Sequence, residues 1–227
     1  MGDRAGADEF EVLVRGRHSV RGFLPDPVPQ DLIEKVFDIA RWAPSGTNVQ
    51  PWHVCVASGE VCERLRSRFL AGFDAGEKPN TDHAPDGRTP GVWQESKRGC
   101  ARALYGAMGI EWEDRAGRAV AARRNYEFFG APHAAFLGMD EVFGTQTASD
   151  VGMFAQTLML AMHAHGIASC PQGTLRNYPD VVRETFGLGP TVKILFGISF
   201  GYADPDMSVN AARTERAPLE ETVQFLG

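Results

Sequence analysis

"TVKILFGISFGY", Thr191 to Tyr202, sets Val192, Ile194, Phe196, Ile198 and Phe200 at every second position. Successive side chains of a strand point to opposite faces, so large apolar groups at period two predict a strand with one face in a core. Working outward, "APHAAFLGMD" (131–140) reads as a second strand led in by Pro132. "HVCVAS" (53–58), with Val54 and Val56 alternating after Trp52, reads as a third, and Val61, Leu65 and Phe69 carry a helix behind it. Three or four strands among five or more helices, without regular strand–helix alternation, indicate an α+β fold rather than a βαβ series.

Two helices frame these strands. "VPQDLIEKVFDIARWAPS" places Leu32, Ile33, Val36, Phe37, Ile39 and Ala40 on one face, begins at Pro29 and stops before Pro44. "SDVGMFAQTLMLAMHAHG" is a long helix with Ser149 or Asp150 as N-cap and Gly166 as its stop. Between them, residues 72–93 collect Gly, Pro, Asp and Asn, which suits a surface loop or a mobile lid, and "SKRGCARALYGAMGI" and "EDRAGRAVAARRNYEFF" read as two Ala/Arg-rich helices. No repeat or low-complexity linker divides the chain, so residues 1–227 read as one domain with a helical and loop excursion at about 70–130.

Composition narrows the function. With 23 Lys and Arg against 29 Asp and Glu, the net charge of -6 disfavours nucleic acid as a partner. Cys55, Cys62, Cys100 and Cys170 are widely separated, which suggests neither a disulfide framework nor a zinc knuckle and fits a reducing compartment. "MGDRAGADEF" lacks the apolar core of a signal peptide and no apolar run reaches bilayer length, so no membrane association and a cytoplasmic location are expected.

"GISFG" (197–201) matches G-x-S-x-G, yet Ser199 falls inside the alternating strand and no His follows His165, so a serine hydrolase is disfavoured. His163 and His165 are two apart on a helix and point to different faces, which suits solvent or ordinary packing rather than a metal. Neither G-x-G-x-x-G nor a G-K-[ST] phosphate loop is present.

The chemistry-bearing residues lie elsewhere. "RHSVRGF" (17–23) is either a solvated basic segment or an anion site. In an extended chain Arg17 and Ser19 share one side, where a guanidinium fork and a hydroxyl can grip one phosphate. "NAARTERAPLEE" (210–221) supplies Arg213 and Arg216, and two distant Arg clusters converging on a dianion would fix a phosphate without a glycine-rich loop. "APSGTNVQPWHV" (43–54) and "SCPQGTL" (169–175) are either neutral turns or polar edges for a flat heterocycle, with Gly46 and Gly173 admitting close backbone approach.

Taken in order, R-x-S-x-R, A-P-S-G-T-N-x-Q-P-W, P-Q-G and N-x-x-R-x-x-R-x-P-L-E make nearly the whole chain resemble the FMN-dependent nitroreductase family. "LYGAMGIEWEDRAGR" and "NYEFFGAPH" resemble its nitrobenzoate and nitroaromatic reductase branch. The resemblance implies a central mixed, mostly antiparallel sheet flanked by helices, in an intertwined homodimer whose C-terminal segment reaches the partner. It implies Arg17, His18 and Ser19 at the FMN phosphate and ribityl chain, with Arg213 and Arg216 at the phosphate. Arg21 falls by the flavin edge that becomes anionic on reduction, and Gln172 and Gly173 form a turn facing the ring. Ser45, Gly46 and Asn48 come from the neighbouring protomer. No dedicated catalytic side chain is implied: NADPH or NADH passes a hydride to the flavin and leaves before a small aromatic acceptor, a nitroaromatic or quinone, takes the same face. Reductive dehalogenation, alkene reduction, oxygen-dependent flavin breakdown and non-catalytic flavin binding stay open as alternatives.

Overall fold

The computed structural model describes residues 4–84, 87 and 89–227. α1 (Arg4–Gly16) and α2 (Gln30–Ala40) precede β1 (His53–Ser58) and α3 (Gly59–Asp74). α4 (Gly91–Met108) and α5 (Arg115–Arg123) follow, then β2 (His133–Asp140), α6 (Thr145–Ala164) and β3 (Ala168–Gln172). α7 (Pro179–Phe186), β4 (Val192–Gly201) and the short α8 (Leu219–Thr222) complete the chain. The sheet order is β1-β2-β4-β3 with each neighbouring pair antiparallel, and a single parallel bridge, Ser19 to Ser169, gives it mixed character.

Each face of the sheet carries its own core. On one, Leu137, Met139, Ile198 and Phe200 meet Ile33 and Val36 of α2 and Phe154 and Leu158 of α6. On the other, Phe136 and Ile194 meet Leu65 and Phe69 of α3 and Val182 of α7. The strict alternation expected for the decisive strand is corrected by a bulge: Leu137 faces Phe196 and Gly138 faces Ile194, leaving Leu195 as the extra residue. The bulge reverses the pleat, so Phe196, Ile198 and Phe200 serve the α2/α6 core while Val192 and Ile194 serve the α3/α7 core. Gly138 is required there, since a Cβ would run into the Lys193 carbonyl.

The bulge has its own support. Asp82 accepts the Ile194 amide at 2.8 Å and takes both oxygens to Arg183 Nη1 at 2.8 Å, a pair whose side chains are 7% and 13% exposed. Asn80 N–H donates to the Asn177 carbonyl at 2.9 Å, and Tyr178 Oη to the Glu77 carbonyl at 3.3 Å. The 77–82 part of the expected loop or lid is therefore fastened over α7 and β4. Of the remainder, 91–93 belong to α4, and Pro85, Asp86 and Arg88 lie outside the described residues.

Several boundaries also move. In α2, Ile33, Val36 and Ala40 are buried but Ile39 is 38% exposed, because a residue six positions past Ile33 falls off that stripe. α6 starts at Thr145, one turn before the expected caps: the Thr147 and Ala148 amides bond Gly144, and Ser149 Oγ donates to Gln146 within the helix. Gly166, at φ 74°, ends it as expected. α5 stops at Arg123 and the chain turns through Phe128 and Phe129, both left-handed and buried. The expected P-Q-G turn is the end of β3, an edge strand that tolerates Pro171. The four cysteines are free thiols, and no helix among the described residues is long and apolar enough to cross a membrane.

Candidate functional site

The chain leaves α1 and is pinned along the β3 edge. The Val20 amide donates to the Ser169 carbonyl at 3.1 Å, the Arg21 amide to Asn210 Oδ1 at 2.8 Å, and Asn210 Nδ2 to the Gly22 carbonyl at 2.8 Å. A segment tied on both sides holds its side chains in fixed directions, and here it sends Arg17 and Arg21 to different cavities.

Arg17 and Arg216 line one cleft of about 700 Å³, whose other charged lining residues are Glu11 and Arg15. Burial, and then the charge of Arg216, hold the Arg17 guanidinium below its ordinary value, and its Nη1 is buried without a hydrogen-bond partner. The carboxylate nearby, Glu11, is taken by Arg15 at 2.6 Å, and Arg216 spends its Nη1 on Thr214 and on the Glu215 carbonyl. Two uncompensated guanidiniums around open space fit a phosphate dianion, which accepts several charge-assisted bonds at once. Arg213 does not join this cleft. It caps the carbonyls of Asn210 and Ala212 and lines an adjacent cavity of about 600 Å³ along α4, which Arg216 also borders.

Arg21 lines a cavity of about 260 Å³ with Tyr105, Met108, Asn125 and Phe129, its guanidinium carbon 6.0 Å from the Phe129 ring centre. Gln172 is 3% exposed and acts as a strut: it donates to the Asn125 carbonyl at 2.9 Å and accepts from Ser199. Ser199 is fully buried in that bond, so the G-x-S-x-G match carries no nucleophile. Beside the strut Gly173 is exposed, with nothing within 4 Å of where a Cβ would stand. Ser19 lines neither cavity, and its carbonyl is bonded by Arg21 Nη1 at 3.2 Å.

The loop after α2 is held in a strained form. Thr47, Asn48 and Gln50 take left-handed φ of 47°, 59° and 53°, positions expected to fall to glycine but not occupied by Gly46. Ser45 Oγ accepts the Gln50 amide at 2.9 Å, buried Asp150 accepts the Gly46 amide at 3.1 Å, and Trp52 stacks on Phe154 at 5.0 Å. Ser45, Gly46 and Asn48 line none of the cavities of Arg17 or Arg21 in this protomer.

Two residues escaped the sequence reading. Asn125 joins the Arg21 cavity to the Gln172 strut, and only its place next to the "YEFFG" turn hinted at it. His163, expected at the surface or in ordinary packing, lines a cavity of about 240 Å³ with Arg17 and His18. Its spacing from His165 carried no such signal, because the partners come from another part of the chain.

Residues 14–202 match the model of the nitroreductase family. The chain is 43% identical over 220 residues to the nitroreductase NfnB of Mycolicibacterium smegmatis, covering 96% of this chain and 93% of that one. It is 34% identical to a 4-nitrobenzoate reductase of Pseudomonas putida, over 97% and 96% of the two chains. Among solved structures, the FMN-dependent nitroreductase NfnB from Mycobacterium smegmatis in complex with NADPH superposes with a TM-score of 0.92 at 41% identity, covering 99% of this chain and 100% of that one.

Proposed function

Because the chain belongs to the nitroreductase family, we propose that it is an FMN-dependent oxidoreductase that takes electrons from NADPH or NADH and delivers them to a nitroaromatic or quinone-like acceptor. The observation that carries the reading is the Arg17–Arg216 cleft, where two like charges border open space and Arg17 Nη1 is buried without a partner. A cofactor phosphate completes that arrangement. FMN, when bound, supplies a ring that accepts a hydride from the nicotinamide and returns it to the acceptor, one substrate after the other on the same face.

The protein's share is placement and charge. Arg17 and Arg216 hold the phosphate, with His18 and Ser19 along the ribityl side and Arg213 flanking the approach. Arg21 is a fixed cation for the ring edge that gains negative charge on reduction, and its planar fork presents several donors in a set geometry. Gln172 is locked by Ser199 and Asn125, so the following turn presents the Gly173 backbone to the ring without reorganisation. No side chain is needed to form a covalent bond.

The second copy completes the site. Phe10, Val12 and Val14 on α1, Trp42 and Val49 beside the strained loop, and Leu219, Val223, Phe225 and Leu226 in the tail are exposed apolar groups. A homodimer covers such surface and lets Ser45, Gly46 and Asn48 of one protomer reach the cofactor of the other. Four free thiols suit a cytoplasmic setting.

The test is the visible spectrum of the purified protein, loaded with FMN, before and after anaerobic NADPH or NADH. Bleaching followed by recovery on adding 4-nitrobenzoate or a benzoquinone is expected. A protein that retains no flavin, or whose flavin neither nicotinamide reduces, refutes the reading.

A further inference from the structure

We propose that His163, in the cavity that adjoins the FMN-phosphate cleft through Arg17, couples FMN binding to proton uptake. The inference rests on the assignment of that phosphate to Arg17 and Arg216. His163 stands in the last turn of α6 with its Nε2 3.0 Å from where a Cβ on Gly16 would be. Gly16 does not adopt the left-handed backbone that would call for glycine. Its missing side chain instead lets the imidazole lie against the backbone that leads into Arg17 and His18. The same glycine fixes the second ring, since His18 Nδ1 lies 3.0 Å from the Gly16 carbonyl.

Arg17, His18 and His163 thus border one cavity, whose remaining lining is apolar or neutral, including Val20, Ile167 and Ser169. The charged groups on the surrounding elements do not offset them. From α1, Glu11 is engaged by Arg15; from the tail, Arg216 adds a further cation; His165 shares the end of α6; and beyond β4, Asp204 keeps its charge but is not among the charges that act on His163. Burial, and then His18 and Arg17, hold the His163 imidazolium below its ordinary value. An anion placed at Arg17 opposes the last two influences and raises it. Linkage then requires that FMN binding take up a proton and tighten as pH falls toward the ordinary histidine range.

FMN affinity for apoprotein, read by flavin fluorescence quenching at pH 6.0 and 8.5, tests this in wild type, His163→Gln, His163→Lys and Arg17→Ala. Titration of the phosphate itself is common to all four and cancels in ratios. The wild type to His163→Gln affinity ratio is expected to rise from about one at pH 8.5 to roughly tenfold at pH 6.0, the lower end for a charge-assisted contact. His163→Lys, a cation at both pH values, is expected to bind tightly at both. Calorimetry in two buffers of different ionisation enthalpy should show fractional proton uptake near pH 7 in wild type and less in His163→Gln. If Arg17→Ala weakens FMN but His163→Gln keeps the wild-type profile and proton count, the inference is overturned while the phosphate assignment stands. If Arg17→Ala binds FMN as wild type does, the assignment falls and the inference with it.

Discussion

Replacing Asp82 by Ala removes one partner from a part-buried ion pair and the acceptor of a strand amide in a single change. Removing one member of a fully buried pair costs about 3–5 kcal/mol, less for this part-buried one, and an orphaned buried amide adds about 1–3 kcal/mol. Against this, Arg183 keeps Asp180 at 2.7 Å and the Val192 carbonyl at 3.1 Å. A net loss of about 3 kcal/mol follows, which for a chain of this size lowers the melting temperature by roughly 6–12 °C. Asp82→Asn retains an acceptor for the Ile194 amide but not the charge facing Arg183, and falls between Ala and wild type. The exposed Arg68–Glu184 pair, with side chains 44% and 63% exposed, provides the control: Arg68→Ala should cost no more than about 1 kcal/mol. Urea and thermal midpoints are compared at fixed protein and saturating FMN, since ligand and partner both shift apparent stability. A midpoint for Asp82→Ala no lower than that of Arg68→Ala would refute the claim that this pair supports the bulge.

Arg17→Ala and Arg216→Ala should each weaken FMN by about 1.5–3 kcal/mol, roughly ten- to more than a hundredfold, in a fluorescence titration; Arg213→Ala, which faces the adjacent cavity, should cost less. His133 is buried, shares a 2.6 Å hydrogen bond with Ser58 Oγ, accepts the Val28 amide at Nε2, and has its pKa lowered by burial. Its folded pKa thus lies below the unfolded value of about 6.5, so its contribution is complete above that pH and lost as pH falls through the folded value; urea midpoints between pH 7.5 and 5 should decline, and less steeply in His133→Gln. Gly138→Ala forces a Cβ against the Lys193 carbonyl and should destabilise by about 1–3 kcal/mol by urea denaturation. Gly173→Val should impair flavin binding and turnover while leaving the melting temperature of the apoprotein near wild type.

The α+β class, α2, β1, β2, β4 and the Gly166 stop were legible because each depends on local periodicity or local backbone freedom. Leu195 was not: a bulge is set by how two strands share a register, and nothing in "KILFG" distinguishes it from a regular strand. β3 was hidden behind proline, which reads as a turn unless the strand is known to lie at an edge. In the site, Arg17 with Arg216 could be paired in advance, since two basic clusters invite a shared anion. Asn125 and His163 there, like Asp82 at the bulge, could not, because each acts on a segment more than 40 positions away and its type alone names no partner.

Pro171 has a consequence for the protein's life in solution. β3 closes one side of the sheet and presents its outer backbone beside Ser19 and the Gly173 turn, next to the proposed flavin site. Beyond the Ser19–Ser169 bridge, an edge is also an invitation for another chain to extend the ladder, the first step toward aggregation. Pro171 pairs with Ile198 and has no amide hydrogen to offer outward. The edge can therefore stay accessible to a small molecule while being a poor template for a stray strand during folding, before cofactor or partner has arrived.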